Sequence, residues 1–267
     1  MKLKILDGKN ENKGEKDLPK QFSEPVRPDL IKKAVLVIQA NNRQAYGSAP
    51  DAGQRHSSYV SKRRSSYRTT YGIGQSRTPR KVMSRRGTRF NWVGATVPQT
   101  VGGRRAHPPK ADKIWDQKMN RKERRKAIRS ALSASMDKEL VGKKHKVPDT
   151  YPYIIAASLE DASKTKDVKL ALEQLGLSKE LTRCEVKTIR PGRGTMRGRK
   201  YRKKVGPLIV VSKECKLSKA GKNVPGVEVV EVGQLNAESL APGTEPGRLV
   251  LFTDKSLEVM EKEKLFM

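Results

Sequence analysis

The chain begins with two clear hydrophobic patterns. Residues 2–6 alternate between polar and apolar side chains closely enough to predict a short strand. After a polar, charged segment, apolar residues recur at a helical spacing, at Ile31, Ala34, Val35 and Ile38. Asp29 stands where a helix N-cap is expected, so this helix is predicted to run from there to about Gln44.

The second half of the chain alternates between short apolar runs and segments of helical periodicity. Buried strands alternating with helices predict a mostly parallel sheet with helices on both faces. The predicted fold class is therefore α/β, with Rossmann-like layering. The predicted strands are residues 153–157, 208–211, 228–232 and 249–252, and the predicted helices are residues 166–175, 216–222 and 255–265. Gly176 is expected to end the first of these helices.

Residues 47–110 show neither the alternation typical of a strand nor the apolar spacing typical of a helix. Their few aliphatic side chains are isolated among Gly, Ser, Thr, Arg and Pro, so this segment buries too little apolar surface to offset the entropy of ordering it. Because a regular pattern resumes afterwards, we interpret the segment as a long extended basic loop. It is inserted in a single α/β globular domain formed by residues 1–46 and 111–267. As a hairpin of two extended arms it reaches at most ~100 Å, at about 3.3 Å per residue.

A basic helix is predicted directly after the loop. Asn120 and Glu123 have the spacing of a capping box. The apolar face of this helix consists of Ala127, Ile128, Ala131 and Leu132. Cations surround that face and few acids lie near them in sequence, so we expect a polyanionic partner for it.

The positive charge of the chain is concentrated in two stretches. Of the net charge of +30, residues 41–129 supply 23 Lys and Arg against four Asp and Glu. Residues 183–204 supply ten against one, while the other 156 residues have 25 basic and 23 acidic side chains. A nearly neutral body with two cationic segments is typical of a protein that binds nucleic acid.

Aromatic residues are interleaved with the cations of the long loop. Six of the 13 aromatic residues lie between positions 41 and 110, where no core is predicted to bury them. Such rings stack on unpaired bases, at ~1–3 kcal/mol each, and arginine both binds phosphate and stacks on bases. The loop glycines let the backbone approach a sugar–phosphate chain closely. The alternative is a disordered basic tail without fixed geometry, against which the aromatic residues and the regular Gly and Pro positions argue.

Residues 190–204 repeat this chemistry in a shorter basic loop. Gly192, Gly194 and Gly198 form G-x-G-x-x-x-G, which is one residue longer than the dinucleotide-binding fingerprint. No strand is evident before this motif and no helix clearly follows it. We therefore interpret residues 190–204 as a second RNA-binding loop that holds phosphates.

The sequence has no pattern typical of an enzyme, a metal site or an exported protein. Neither a G-x-x-x-x-G-K-[ST], a G-x-S-x-G nor an H-E-x-x-H motif occurs. His56, His107 and His145 have no acid at a useful spacing, so surface positions are expected for all three. Cys184 and Cys215 are expected to be buried free thiols of an intracellular protein. Residues 1–20 lack the apolar core of a secretory signal, and no apolar run approaches a membrane span, so a soluble chain is expected.

Several spaced motifs extend from the end of the long loop to the C-terminal region. They are Gly102-Gly-Arg-Arg-Ala-His-Pro-Pro-Lys110, Asn120-Arg-Lys-Glu-Arg-Arg-Lys-Ala-Ile-Arg-Ser-Ala-Leu132, Arg197-Gly-Arg-Lys-Tyr-Arg202, Leu240-Ala-Pro-Gly243, Pro246-Gly-Arg-Leu249 and Phe252-Thr253. With these motifs the chain resembles the archaeal and eukaryotic type of large-subunit ribosomal protein four over essentially its whole length. The end at Met267, without the long C-terminal extension of the eukaryotic members, favours the archaeal type.

The resemblance implies a structural, non-enzymatic constituent of the large subunit in the cytoplasmic ribosome. Its long loop is expected to pass through large-subunit ribosomal RNA, to support assembly and to help line the polypeptide exit tunnel. The expected partners are this RNA, neighbouring large-subunit ribosomal proteins and the nascent polypeptide near the loop tip. No cofactor, metal, membrane or small-molecule substrate is expected. An RNA-modifying enzyme with a basic guide loop and a DNA-compacting protein stay open as alternatives.

The residues expected to contact RNA are Arg55, Tyr59, Lys62, Arg63, Arg64, Tyr67, Arg68, Arg77, Arg80, Lys81, Arg85, Arg86, Arg89, Phe90, Trp92, Arg104, Arg105, His107, Lys110, Arg121, Lys122, Arg124, Arg125, Arg190, Arg193, Arg197, Arg199, Lys200, Tyr201 and Arg202. By analogy with the family, the loop tip is expected around residues 77–89. Its tunnel-facing residues are expected to be Arg77, Arg80, Arg85, Arg86 and Arg89.

Overall fold

The computed structural model describes residues 1–67 and 69–267, with the backbone alone at Phe90. The chain divides into a globular unit, Met1–Asn42 with Asp116–Met267, and an inserted unit, Arg43–Trp115. The strands are β1 (Lys2–Leu6), β2 (Asn12–Asp17), β3 (Arg80–Arg86), β4 (Arg89–Gly94), β5 (Ile154–Ile155), β6 (Thr188–Ile189), β7 (Tyr201–Arg202), β8 (Leu208–Val211), β9 (Glu228–Glu231) and β10 (Val250–Thr253). The helices are α1 (Pro28–Asn41), α2 (Arg121–Met136), α3 (Lys138–Gly142), α4 (Thr165–Leu172), α5 (Ser178–Glu185), α6 (Lys216–Gly221), α7 (Ala237–Leu240) and α8 (Asp254–Lys262).

A six-stranded sheet forms the centre of the globular unit, in the order β2-β1-β5-β10-β8-β9. The β1–β2 pair is antiparallel, and the other neighbouring strands are parallel. The sheet is therefore mixed, and the prediction of an α/β fold is confirmed as a mixed α/β architecture.

Apolar side chains cover both faces of this sheet. Along β8, Leu208 and Val210 belong to one hydrophobic cluster, and Ile209 and Val211 belong to the other. Successive side chains of a strand point to opposite faces, so each cluster occupies one face. Helices α1, α2, α7 and α8 contribute buried residues to the first cluster, and α4, α5 and α6 to the second. A strand buried on both faces needs an unbroken apolar run, which is why β8 was predictable.

Two predictions of helix capping were wrong. Helix α1 begins at Pro28 after Arg27 as N-cap, so Asp29 lies in its first turn, where its carboxylate pairs with Arg27 at 2.6 Å. The helix ends at Asn41 rather than at Gln44. Asn120 is the N-cap of α2, but its side chain makes no capping hydrogen bond. Glu123 instead pairs with Lys33 at 2.7 Å, so the expected capping box does not form.

The helix predicted at residues 166–175 is shorter, and a second helix follows it. Helix α4 ends at Leu172, and Gly176 adopts a φ of 84°, a left-handed conformation that glycine tolerates without strain. Helix α5 then begins at Ser178, where no helix was predicted. Strand β2 was also missed, because its polar residues form an edge strand with no apolar alternation.

The inserted unit contains regular structure that the sequence did not indicate. Strands β3 and β4 form an antiparallel hairpin, with Arg86 paired to Arg89 across a two-residue turn. Gly87 has a φ of 58° at the first turn position, a conformation favoured in tight hairpins. The second basic stretch is likewise bounded by a strand pair, β6 with β7. The expectation that no strand precedes that stretch was therefore wrong.

Candidate nucleic-acid interface

The β3–β4 hairpin exposes a group of cations. Arg85, Arg86 and Arg89 are exposed beside its turn, and Lys81 is half-buried further along β3. No ion pair involves any described residue of the inserted unit. Its cations are therefore not neutralised by carboxylates within the described part of the chain, which is the condition for binding a polyanion.

Arg80 differs from the other cations of the predicted loop tip. Its side chain is buried, and its guanidinium donates to the carbonyl oxygen of Ser76 at 2.6 Å and lies 5.2 Å from the ring centroid of Trp92. Backbone hydrogen bonds between Arg80 and Tyr59 join the start of β3 to the preceding arm. Arg80 thus holds the base of the hairpin, whereas residues 82–86 of β3 are exposed.

Cation–aromatic contacts organise the segment before the hairpin. The ring of Tyr71 has Arg77 at 5.0 Å and Arg64 at 5.7 Å from its centroid. Tyr59 and Tyr67 are exposed, and Trp92 is half-buried. Arg68 lies outside the described residues, as does the side chain of Phe90. Other predicted contact residues of this unit, Arg55, Lys62, Arg63, Arg105, His107 and Lys110, are exposed, and Arg104 is half-buried.

Glycines bring the two arms of the inserted unit together. A Cβ on Gly53 would lie 2.7 Å from the Cα of Arg104 on the other arm, whereas Gly103 packs against the carbonyl oxygen of Val97 within its own arm. Nearer the ends of the unit, the amide of Ser48 donates to the carbonyl oxygen of Pro109 at 3.0 Å. These glycines therefore serve close packing within the chain, a role distinct from the predicted approach to a sugar–phosphate backbone.

The basic face of α2 is partly compensated by acids. Glu24 pairs with Arg129 at 3.0 Å and with Lys126 at 3.4 Å. The Arg125 guanidinium donates to the carbonyl oxygen of Met267. Few acids lie near this face in sequence, but Glu24, which is distant along the chain, compensates part of its charge. The cations of α2 without an ion pair in the described structure are Arg121, Lys122, Arg124 and Arg125.

The second basic stretch presents its cations on a hairpin-like loop. Arg193, Arg197 and Arg199 are exposed, and the Arg190 side chain donates to the carbonyl oxygen of Arg199 at 3.3 Å. Beside its base lies a cavity of about 720 Å³. This cavity is lined by Lys144, Arg183, Arg202, Lys203 and Lys204 together with Glu245. Lys200 lies 5.6 Å from the ring centroid of Tyr201.

A buried polar cluster lies next to this cavity, and the sequence analysis missed it. Glu180 is fully buried and accepts hydrogen bonds from Arg183 at 2.6 Å and from the amide of Lys146 at 2.9 Å. His145 Nδ1 lies 2.7 Å from the same carboxylate. Arg183 also donates to the carbonyl oxygen of Val205 at 2.7 Å. The cluster thereby fixes the segment that enters strand β8 from the basic loop.

Two ionisable groups in this cluster have shifted pKa values. Burial alone would raise the pKa of Glu180, but hydrogen bonds from Arg183 and His145 outweigh it and lower the pKa to about 2. Burial, with the negative charge of Glu180, raises the pKa of the Cys184 thiol to about 11. The carboxylate is thus charged and the thiol neutral at neutral pH.

Two predictions of burial were wrong. His145 is buried rather than exposed, and it does have an acid partner, Glu180. Cys184 is buried as expected, but Cys215 is only half-buried. The sequence offered one signal for this cluster, because Glu180 and Arg183 are three residues apart and such residues are neighbours on a helix. The signal could not be used, because no helix was predicted at these positions.

The described residues contain no group of three or more His, Cys, Asp or Glu arranged to hold a metal ion. Among the same residues, no helix is both long and apolar enough to cross a membrane.

Comparison with known proteins identifies the family. Residues 16–263 match the model of the ribosomal protein L4/L1 family. A large ribosomal subunit protein uL4 from Nanoarchaeum equitans is 47% identical over 254 residues, which is 95% of each chain. Those from Archaeoglobus fulgidus and Halobacterium salinarum are 42% and 41% identical over 262 residues, covering 97% of this chain and 98% of each relative. On this similarity, which extends over nearly its full length, the chain belongs to the ribosomal protein L4/L1 family, in its archaeal type.

Proposed function

We propose that this protein is a structural, non-catalytic component of the large ribosomal subunit and binds large-subunit ribosomal RNA through its inserted unit. The observation that supports the proposal best is the lack of any ion pair among the described residues of that unit, despite its many cations. A folded domain usually neutralises such a density of charge, and RNA phosphates supply the missing anions.

The finer assignments belong to the same proposal. The globular unit has Rossmann-like layering and packs against neighbouring ribosomal proteins. Residues 47–110 form an RNA-binding loop, and residues 190–204 form a second one. The β3–β4 turn faces the polypeptide exit tunnel, with Arg85, Arg86 and Arg89 closest to the nascent chain. This orientation follows from the family resemblance and from the exposure of the turn.

The first experiment is sedimentation of the protein in a native cell extract before and after a high-salt wash. Co-migration with the large ribosomal subunit through the wash is expected, because a loop threaded through RNA cannot dissociate as loosely bound basic proteins do. Migration as a free protein contradicts the proposal.

A matched pair of variants tests the hairpin directly. Replacing Arg85, Arg86 and Arg89 by Gln is expected to reduce the salt dependence of binding to large-subunit RNA. The magnitude of the negative slope of log K against log salt should decrease by roughly 2, at about 0.7 per phosphate contact. The control replaces Lys213, Lys219 and Lys222, three exposed lysines outside both basic stretches. Equal slopes for the two variants contradict the assignment, and equal competition by duplex DNA favours the DNA-compacting alternative.

A further inference from the structure

A cavity of about 580 Å³ lies within the inserted unit, near its two chain ends. Its wall includes Arg105, His107, Lys110, Asp112, Lys113 and Trp115. Asp112 is the acid in this set, and none of these side chains is in an ion pair within the described structure. The cavity is therefore net cationic, and its lining carboxylate makes no ion pair within the described structure.

An aromatic pair forms one side of the cavity and holds two cations. The rings of Trp115 and Tyr46 are stacked, with centroids 5.8 Å apart and an interplanar angle of 19°. The Arg43 guanidinium lies 3.7 Å from the Trp115 ring centroid, and the Lys113 ammonium lies 4.2 Å from it. Two cations against the same ring repel each other, and a nearby anion relieves that repulsion.

The indole nitrogen of Trp115 supplies a second, independent observation. This Nε1–H group is buried and has no hydrogen-bond partner among the described residues. An indole N–H can only donate, and a buried donor left without an acceptor costs about 1–3 kcal/mol. An anion bound against the indole nitrogen would satisfy this donor.

The walls of the cavity are held in place by the backbone. The Ser48 amide bonds to Pro109 at 3.0 Å, and a Cβ on Gly47 would lie 2.5 Å from the amide nitrogen of Ala111. Pro108 and Pro109, both lining residues, have fixed φ angles. The backbone of this wall is therefore fixed before any ligand binds.

We propose that this cavity binds one phosphodiester group of an RNA strand. Trp115 Nε1–H donates to a phosphate oxygen, and Lys113, with Arg105 and Lys110, neutralises the charge. A phosphate fits better than a stacked base, because Tyr46, Arg43 and Lys113 already contact the Trp115 ring. This inference rests on the proposed binding of large-subunit RNA and adds two contact residues, Lys113 and Trp115, that the sequence analysis did not predict.

The test uses two substitutions in the full-length protein. Trp115→Phe keeps an aromatic ring for stacking but removes the N–H donor together with part of the larger indole. It is expected to weaken binding of transcribed large-subunit RNA about tenfold or more, the effect of losing a hydrogen bond to a charged group. Lys113→Gln is expected to reduce the magnitude of the negative slope of log K against log salt by about 0.7. Lys222→Gln is the charge-matched control and is expected to leave the slope unchanged.

The outcomes separate the site from the function. If the wild-type protein does not bind the RNA, the proposed function fails and the site fails with it. If the wild type binds and both variants bind equally well with an unchanged slope, the phosphate site alone is overturned. Polyglutamate and oligouridylate are also compared as competitors of RNA binding. If polyglutamate inhibits RNA binding of the wild type at a lower concentration than oligouridylate does, and does not inhibit that of Lys113→Gln, the cavity recognises an acidic peptide. The assignment to RNA is then overturned.

Discussion

Glu180 is the residue on which the most hydrogen bonds of the buried cluster converge. Its two oxygens accept from Arg183, from His145 and from the backbone amide of Lys146. A buried carboxylate is stable only with such partners, because burial of an unpaired charge is strongly unfavourable. The cluster joins α5 to the base of the second basic loop through the carbonyl oxygen of Val205.

Glu180→Gln is expected to lower the free energy of unfolding at pH 7 by about 3 kcal/mol, because it removes one partner of a buried ion pair. The folded-state pKa is depressed from 4.5 to about 2, so the contribution of Glu180 is complete above pH 4.5 and is lost as pH falls towards 2. The difference between wild type and variant should therefore shrink over that range in denaturant titrations. The control is Glu185→Gln, because Glu185 is exposed and pairs with Lys169 at the surface. An equal loss of stability in both variants contradicts the prediction.

The two thiols are expected to differ in reactivity. The Cys184 thiol is buried and its pKa is raised to about 11, so the reactive thiolate is scarce at neutral pH. Cys215 is half-buried. Alkylation of the native protein, followed by peptide mass spectrometry, should modify Cys215 well before Cys184. In guanidinium chloride the two should react alike. Faster native modification of Cys184 is incompatible with the packing around α5.

At the scale of elements, tight backbone contacts set how the loops meet the sheet. Gly206 and Gly226 face each other, with the Gly206 amide donating to the Gly226 carbonyl oxygen at 2.9 Å. Both lie against Cys184 of α5. This contact places the end of the second basic loop beside the turn that precedes β9.

Gly226→Ala is expected to destabilise the protein by roughly 2–4 kcal/mol. The φ of 79° is strained for alanine, and the added Cβ would lie 2.6 Å from the Cβ of Cys184. Gly233→Ala is the matched control, because its φ is not in the left-handed region and no atom lies within 4 Å of the added Cβ. The midpoint temperatures of thermal unfolding of the two variants are compared with that of the wild type. An unchanged midpoint for Gly226→Ala would contradict the prediction and show that the turn rearranges without cost.

At the scale of the whole molecule, the hydrophobic core belongs to the globular unit. Among the described residues, neither hydrophobic cluster includes a side chain from the inserted unit. The apolar burial that stabilises the sheet therefore comes from chain segments on either side of the insertion.

Replacing residues 47–110 by a short flexible linker is expected to leave a folded protein with a cooperative unfolding transition. Its free energy of unfolding should change by little beyond the loop-closure entropy, which grows slowly with loop length. Circular dichroism and denaturant unfolding measure this. Loss of the cooperative transition would mean that the insertion supports the core. In that event the globular unit and the inserted unit are not independent of each other in stability.

Much of the globular unit was predictable because its apolar runs are unambiguous. Strand β8 has the predicted bounds, and β9, β10, α6 and α8 lie within one to three residues of theirs. Strand β2 and helix α5 escaped prediction, since one is a polar edge strand and the other follows a glycine taken as the end of a helix. The β3–β4 hairpin has mostly exposed residues and therefore no buried alternation to detect.

The candidate interface was predictable as a set of cations and rings, but their individual roles were not. Arg80 and Arg85 are indistinguishable in sequence, yet one is buried against Trp92 and the other is exposed at the hairpin turn. His145 gave no sign of its partner, because Glu180 lies 35 positions away. The cavity near Trp115 likewise joins arms that are separated by more than fifty residues.

The sequence by itself determined the family, the α/β class and the concentration of charge in two segments, because these depend on composition, local periodicity and spaced motifs. Only the tertiary structure decided which polar groups are buried, which cations remain without a counter-ion, and where the inserted arms meet. Those properties depend on contacts between residues distant along the chain. A local pattern carries no information on which distant residue completes a hydrogen bond or neutralises a charge.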